Sequence, residues 1–314
     1  MIIVTGGMGF IGMHTVQALL DAGESVVPTS HRSWRIPELW QDEVGKRVFP
    51  EMLDINSAHD ATELARKHKP RAIIHLAGPP FAGTTPAGDY ATNMMGLLNL
   101  LEAARINEVG RFVYASSNSV YGGIDKGPYL EDMTYPLSST NAISAYKKAA
   151  EIVMFHYADR TGLSVAALRP PAVYGPLYYS LFNVMSRVCH AAAKGAEPDY
   201  GPAGAPYEGE YQDMAYVKDV AEIFARAALK PDLAYRSYNC GSGQPASIRQ
   251  LIDAAKAVVP GATLPAASEP KPTSRGEDNY LNMDRVKEDL GYVAQYDVTR
   301  GAGEYTRWLQ THPL

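Results

Sequence analysis

The first thirty residues constrain this chain more than any other stretch. Ile2-Ile3-Val4 is a β-branched run suited to a buried parallel strand, and it leads into Thr5-Gly6-Gly7-Met8-Gly9-Phe10-Ile11-Gly12. A helical pattern follows over His14–Ala22, with Val16, Leu19 and Leu20 on one face. Gly23 ends it, and Val26-Val27 opens another apolar run. Gly7, Gly9 and Gly12 fit G-x-G-x-x-G, and Gly6 extends the pattern to G-x-x-G-x-x-G. Between a strand and a helix, that spacing has a chemical reason. A pyrophosphate must approach backbone N–H groups at a helix N-terminus, and a Cβ there would block it. A tight structural turn is the plainer alternative, and the strand–turn–helix context favours the dinucleotide.

The end of the second strand, about 20 residues on, reads the cofactor's 2′ position. An acid there would hold both ribose hydroxyls of NAD. Here the segment is Val27-Pro28-Thr29-Ser30-His31-Arg32, with Ser30 at the acid's place and Arg32 two residues later. With no carboxylate to repel a 2′-phosphate and a guanidinium able to pair with one, the segment predicts NADP over NAD. The alternative is that Arg32 is a solvated loop residue beside an NAD site.

The remaining composition excludes more than it assigns. At 314 residues the chain holds two units or one large α/β unit. A net charge of −5 gives no bulk basic field for nucleic acid or an anionic membrane. No apolar run approaches the roughly 20 residues that span a bilayer. Cys189 and Cys240 are too few for a disulfide framework or a zinc site, which predicts no metal and a reducing, cytoplasmic setting. Cys189, in a helical stretch over Val184–Lys194, reads as a small buried hydrophobe, Cys240 follows a strand over Ser237–Asn239 with Gly241 and Gly243 suggesting a turn, and His75 reads as a packing residue.

Further along stand Ala72–Gly78 as a strand and turn, Asn93–Ala104 as a helix, Arg111–Ser117 as a strand, then Asn118-Ser119-Val120-Tyr121-Gly122 and Leu168-Arg169-Pro170-Pro171-Ala172-Val173-Tyr174-Gly175-Pro176. Together with the glycine turn these motifs resemble the extended short-chain dehydrogenase/reductases, the NAD(P)-dependent epimerase/dehydratase group that includes UDP-galactose 4-epimerase. The resemblance extends to about Tyr292 and implies a Rossmann-type, doubly wound parallel α/β sheet with a smaller C-terminal substrate lobe. It divides the chain into residues 1–169 with 212–240, binding the dinucleotide, and 170–211 with 241–314, binding substrate. It further implies a homodimer through the helices near Asn93 and Ser144. Around the cofactor it implies Gly6, Gly9, Phe10, Ile11 and Gly12, Leu76 and Ala77, and Asp54 with Ile55 on the adenine.

The group's chemistry rests on Tyr-x-x-x-Lys, which puts a phenol and an ammonium on one helix face. The lysine holds the nicotinamide ribose and lowers the tyrosine pKa for proton exchange with a substrate hydroxyl. Here the helix reads Asn141-Ala142-Ile143-Ser144-Ala145-Tyr146-Lys147-Lys148-Ala149-Ala150-Glu151. Matching K-A-A-E makes Lys148 the essential lysine and puts Ser144 where tyrosine belongs; the other register pairs Lys147 with Ile143. Tyr146 lies roughly 200° around the helix from Ser144 and does not restore the pattern. Ser117 matches the family's catalytic hydroxyl residue. The resemblance thus assigns catalysis to Ser117, Ser144 and Lys148. The missing phenol leaves three explanations: another residue or a water donates the proton, no such acid is needed, or the position has been changed to disable turnover.

The substrate side departs as well. Gln212 stands where nucleotide-sugar enzymes carry an arginine that grips the diphosphate, although Arg275 matches a second such arginine. Ala172 replaces an asparagine. The pocket assigned by resemblance holds Tyr174, Tyr178, Tyr179, Asn183, Gln212 and Arg275. Tyr200, Tyr207 and Tyr211 also fall in this region, either as pocket walls or as ordinary packing. Three functions fit: an NADP-dependent oxidoreductase acting on a small polar, sugar-like substrate; a nucleotide-sugar epimerase or dehydratase that retains its cofactor; or a non-catalytic NADP-binding protein.

Overall fold

The structure, a computed structural model, describes all residues except 33–35, 80–84, 140 and 313–314. The strands are β1 (Ile2–Thr5), β2 (Val26–Ser30), β3 (Glu51–Met52), β4 (Ala72–His75), β5 (Arg111–Ala115), β6 (Val165–Arg169), β7 (Ala172–Tyr174), β8 (Tyr211–Gln212), β9 (Met214–Tyr216), β10 (Ser237–Asn239) and β11 (Ala246–Ser247). The α-helices are α1 (Phe10–Asp21), α2 (Ala58–His68), α3 (Pro86–Tyr90), α4 (Gly96–Ile106), α5 (Ala142–Thr161), α6 (Val184–Lys194), α7 (Val217–Leu229), α8 (Ile248–Val258), α9 (Asp284–Leu290) and α10 (Val298–Thr311).

Seven strands form one sheet in the order β10-β6-β5-β4-β1-β2-β3, with every pairing parallel. This is the expected Rossmann-type, doubly wound α/β sheet. The buried apolar runs dictate it: all four residues of β1, all four of β4 and all five of β6 are buried, as strands covered on both faces require. The strand order reverses between β1 and β4, so the crevice for a ligand opens at the carboxyl ends of these two strands.

Two apolar layers cover the sheet. Val16, Leu19 and Leu20 of α1 pack with Val220, Ile223 and Phe224 of α7 on one face. Leu97, Leu100 and Leu101 of α4 pack with Ala150 and Met154 of α5 on the other. A third cluster, built from α6, α8 and α10 around Tyr174, Tyr216 and Tyr305, lies in the C-terminal part. Cys189 and Cys240 are free and buried, as small hydrophobes. Among the described residues no helix is long and apolar enough to cross a membrane.

Beneath the sheet's carboxyl edge lies a buried ion pair. Arg169, ending β6, makes a two-pronged contact with Glu151 of α5, Nη2 to Oε2 at 2.7 Å and Nε to Oε1 at 3.0 Å. The two side chains are 2% and 0% exposed. Ser116 Oγ donates to the same carboxylate, Tyr135 Oη donates to it at 2.9 Å, and Arg169 also donates to Tyr121 Oη at 2.8 Å and to the Glu131 carbonyl at 3.1 Å. Deleting one partner leaves the other charge buried and unmatched, which costs about 3–5 kcal/mol. Glu151→Ala is therefore expected to lower unfolding stability by that amount in a denaturant titration, whereas a Glu151→Leu/Arg169→Met double variant loses less than the two single changes summed.

Candidate active site

The glycine turn shapes the larger cleft, ≈ 1120 Å³, at the switch point of the sheet. Gly6 has φ +68°, and a Cβ there would come within 2.8 Å of the Ala77 nitrogen. A Cβ on Gly12 would come within 2.7 Å of the Gly7 Cα. These positions fold only as glycine, and they bring the loop flat against the start of α1. That helix begins with Gly9 as N-cap, with no side-chain cap and no acid in its first turn. Its free N–H groups and positive dipole end suit an anion. The bare cradle, closed to any Cβ, fits the pyrophosphate of a dinucleotide.

Of the residues expected around the cofactor, Gly6, Gly9, Ser30, Arg32, Asp54, Ile55, Leu76 and Ala77 line this cleft. Phe10, Ile11 and Gly12 form the first turn of α1; the Phe10 ring lies against Tyr178, with centroids 4.5 Å apart. Ser30, His31 and Arg32 follow one another at the end of β2, and His31 Nε2 lies 3.8 Å from Asp54. The cleft has walls that pattern reasoning missed: Glu38 and Leu39 beyond β2, Thr92 before α4, and Trp308 and His312 of the last helix. Trp308 and His312 stack face to face at 4.3 Å. Only tertiary folding brings them there, and no local sequence signal marks them.

The geometry of α5 gives its two adjacent lysines different partners. Lys148 Nζ donates to three backbone carbonyls, Gly122 at 3.1 Å, Pro136 at 2.7 Å and Ser138 at 2.6 Å, which uses all its protons. Ser144, fully buried, donates to the Ser119 carbonyl at 2.8 Å. The pair thus ties down the segment 119–138 instead of facing the crevice. Lys147, about 100° around the helix, points the other way. Its Nζ donates to the Ala115 carbonyl at 2.6 Å and to Tyr114 Oη at 3.1 Å, at the carboxyl end of β5. Burial pushes this ammonium down to about 8, against an opposing pull from Glu151. The signal available in the sequence was Glu151 itself, four residues after Lys147 and so on the same face.

One turn before Lys147 stands Ile143, 36% exposed. Tyr146 Oη donates instead to the Pro86 carbonyl at 3.2 Å. Ser117, just beyond β5, accepts from the Ser119 nitrogen at 3.1 Å and donates to Asn118 Oδ1 at 3.4 Å. His75, buried, is held neutral by desolvation, its pKa pushed down to about 3, and its Nδ1 lies 2.7 Å from Thr5 Oγ1.

A second, smaller cleft of ≈ 140 Å³ is lined by Asn118, the residue after Ser117, and by Tyr129, Ala172, Glu210, Gln212 and Asn279 among others. Of the expected substrate residues, Gln212 lines it. Tyr174 does not: it is wholly buried in the C-terminal cluster, with its ring against Tyr216. Asn183 caps α6, accepting from the Ser186 nitrogen at 2.8 Å and donating to the Val173 carbonyl at 2.9 Å. Tyr178 stacks on Phe10, and Tyr179 lines the larger cleft beside Trp308. Arg275 donates to the Asp125 carbonyl at 2.8 Å and is not part of the smaller cleft's wall.

Known proteins agree with this architecture. The chain is 28% identical to UDP-glucose 4-epimerase of Pongo abelii, over 99% of this chain and 97% of the relative. It is 27% identical to UDP-glucose 4-epimerase of Neisseria meningitidis serogroup C, over 99% and 98%. UDP-glucose 4-epimerase of Thermotoga maritima, solved with UDP-glucose, shares the fold with TM-score 0.83 at 24% identity, covering 99% of each chain. The Thermus thermophilus enzyme of the same name, solved with NAD, gives TM-score 0.79 at 25% identity over 98% of each. The profile of the NAD dependent epimerase/dehydratase family matches residues 2–241, and this chain belongs to that family.

Proposed function

We propose that this protein is an NADP-dependent oxidoreductase of the family, moving hydride at a carbinol or carbonyl carbon of a small polar, sugar-like substrate. The observation that carries this reading is the Lys147 ammonium, held on the Ala115 carbonyl at the carboxyl end of β5, the strand that Ser117 follows. The glycine loop and the first turn of α1 would hold the pyrophosphate, Asp54 and Ile55 the adenine, and Lys147 the nicotinamide ribose. Bound there, the dinucleotide supplies the hydride acceptor or donor. Ser117, at the junction with the smaller cleft, orients the reacting oxygen. With Ile143 one turn before it, Lys147 is the group on this face of α5 that exchanges a proton near neutral pH. Residues 1–169 with 212–240 serve the dinucleotide, and 170–211 with 241–314 the substrate.

Ser30, His31 and Arg32 support the NADP preference, because a serine replaces the acid and a guanidinium follows it. The exposed Ile106 on α4 and Ile152 on α5, 52% and 61% exposed, support a homodimer through those helices. Two buried, unpaired cysteines agree with a reducing cytoplasm. A second reading, a nucleotide-sugar epimerase that keeps its cofactor, draws on the names of the 27–28% identical relatives. It predicts a dinucleotide that survives purification, whereas an oxidoreductase exchanges it.

Three measurements test the reading. Purified protein is expected to bind NADPH at least tenfold more tightly than NADH. Arg32→Ala removes that preference, since a charge-assisted bond is worth about 1.5–3 kcal/mol and each 1.4 kcal/mol is tenfold. Equal affinities in the parent would return the site to NAD. Lys147→Met is expected to weaken dinucleotide binding and abolish turnover, while Lys148→Met lowers thermal stability first. The Lys147 ammonium is charged below its pKa of about 8, so dinucleotide affinity falls as pH rises through that value and the inflection vanishes in Lys147→Met. Finally, the parent reduces carbonyl substrates and Ile143→Tyr improves it by less than tenfold. Turnover only in Ile143→Tyr would make the natural chain a non-catalytic dinucleotide-binding protein.

A further inference from the structure

The smaller cleft has a polarity of its own. It begins at Asn118, next to Ser117, and is walled by Tyr129, Ala172, Glu210, Gln212 and Asn279. Among the described residues, no lysine or arginine lines it. Of its two carboxylates, Asp213 is spent on the fold: it accepts from the Ser242 nitrogen and hydroxyl, each at 2.8 Å, and from the Leu281 nitrogen at 3.0 Å. Glu210 is different. It is half-buried, and among the described residues no donor reaches its carboxylate, although its backbone is held by Tyr207 and Ile248. Burial pushes it above the usual carboxylate range, with Lys271 the opposing charge. The Lys271 ammonium is engaged elsewhere, donating to the Ala203 carbonyl at 2.7 Å. The amide of Gln212 makes no hydrogen bond among the described residues. The Asn279 amide, by contrast, is fixed by its bond to the Tyr211 carbonyl at 2.7 Å.

A carboxylate and a free amide facing a cleft without cations form an acceptor-and-donor set for hydroxyl groups. The same set repels a diphosphate, whose recognition needs a fixed positive charge or a helix N-terminus. The cations nearest the cleft, Lys271 acting on Glu210 and Arg275 acting on Tyr129, both donate to backbone carbonyls, Ala203 and Asp125, and neither lines the cleft. The volume argues the same way. At ≈ 140 Å³ the cleft falls below the ~300–1,000 Å³ usual for a drug-sized ligand, so it accommodates one small polar moiety.

We propose that Glu210 and Gln212 bind the hydroxyls of an unphosphorylated polyol, a free sugar or sugar alcohol, and that this cleft does not take a nucleotide diphosphate. The proposal rests on reading the two clefts as cofactor and substrate sites. Glu210 is its specificity-determining residue: its carboxylate accepts two hydroxyl protons from neighbouring carbons, which an amide oxygen matches only in part.

The test uses full-length protein loaded with NADP or NADPH. UDP serves as the diphosphate probe, and D-galactose, D-fructose and xylitol serve as unphosphorylated probes. By calorimetry the parent is expected to bind no UDP at about 1 mM, a ligand concentration that reveals interactions down to roughly −4 kcal/mol. The Glu210→Gln/Gln212→Arg double variant gains UDP binding by at least tenfold. At least one polyol or sugar is turned over, and Glu210→Gln raises its KM tenfold or more, with kcat and the NADPH Kd within threefold of the parent. That split separates a substrate contact from a structural role, which would move melting temperature and cofactor binding as well. Three results overturn the proposal: UDP binding by the parent at micromolar concentration, an unchanged KM in Glu210→Gln, or a panel on which no unphosphorylated probe is turned over by NADPH-competent protein. Failure of the parent to bind NADPH would instead refute the cofactor reading, and the UDP comparison would still decide the cleft's charge preference.

Discussion

The rotation of α5 about its own axis decides what the crevice contains, and the buried pair of Glu151 and Arg169 sets that rotation. Glu151 is clamped from β6 by Arg169, from the end of β5 by Ser116 and from the segment above by Tyr135. A carboxylate gathered from three elements cannot swing without leaving a charge stranded in the interior. Lys147, one turn earlier, shares its face and is delivered to the carboxyl end of β5. Lys148 is delivered just as firmly to the opposite side, where it closes the carbonyls of the loop before α5. Adjacent lysines thus have unrelated jobs, and one interaction distributes them.

That distribution explains how far the sequence could be read. The glycine cradle, the buried strands and the parallel order were legible because each depends on local spacing: Gly6 to Gly12, the alternation-free runs Ile2–Thr5 and Val165–Arg169, and helix periods between them. The choice between Lys147 and Lys148 was only half local: Glu151 marks the face of Lys147, but nothing nearby says where that face points. It turns on Glu151 meeting Arg169 eighteen positions later and Ser116 far earlier, contacts that no helix periodicity reports. Tyr174 was illegible for a related reason. Tyr174 falls in the region assigned to the pocket, yet its strand position faces the interior, beside Gly301, where a Cβ would not fit. Asn183 carried a plain local signal, a capping amide just before an apolar helix, and its structural role outweighs the ligand role that resemblance suggested.

Lys147 also shows how the absent phenol changes the physics of the site. A tyrosine one turn before the lysine would share its proton chemistry and benefit from its charge. Ile143 can do neither. The ammonium is left with one carbonyl and one phenol, Ala115 and the buried Tyr114, whose own hydroxyl is pushed far above its ordinary range by desolvation. Tyr114 therefore stays protonated and cannot neutralise the lysine. Among the described residues, desolvation of Lys147 has no full counter-ion at contact distance to offset it, only Glu151 acting from the next turn. Burial pushes a lysine in that setting down to about 8, which on the proposed reading suits it to proton exchange.

On the proposed reading the two clefts differ in charge: Arg32 lines the larger, and among the described residues no lysine or arginine lines the smaller. The larger has a bare helix N-terminus and, past β2, His31 and Arg32, with Asp54 toward His31 and Glu38 also on its wall. The smaller has an unengaged Glu210 and, among the described residues, no cation. A dinucleotide is strongly anionic and a polyol is neutral, so each ligand meets a wall that attracts it and a neighbouring compartment that does not. In a site that used one basic surface for both, an anionic substrate tail would compete for the cofactor's cradle. Separating the charges removes that competition, and it makes the identity of residue 212 a matter of which ligand is excluded as much as which is bound.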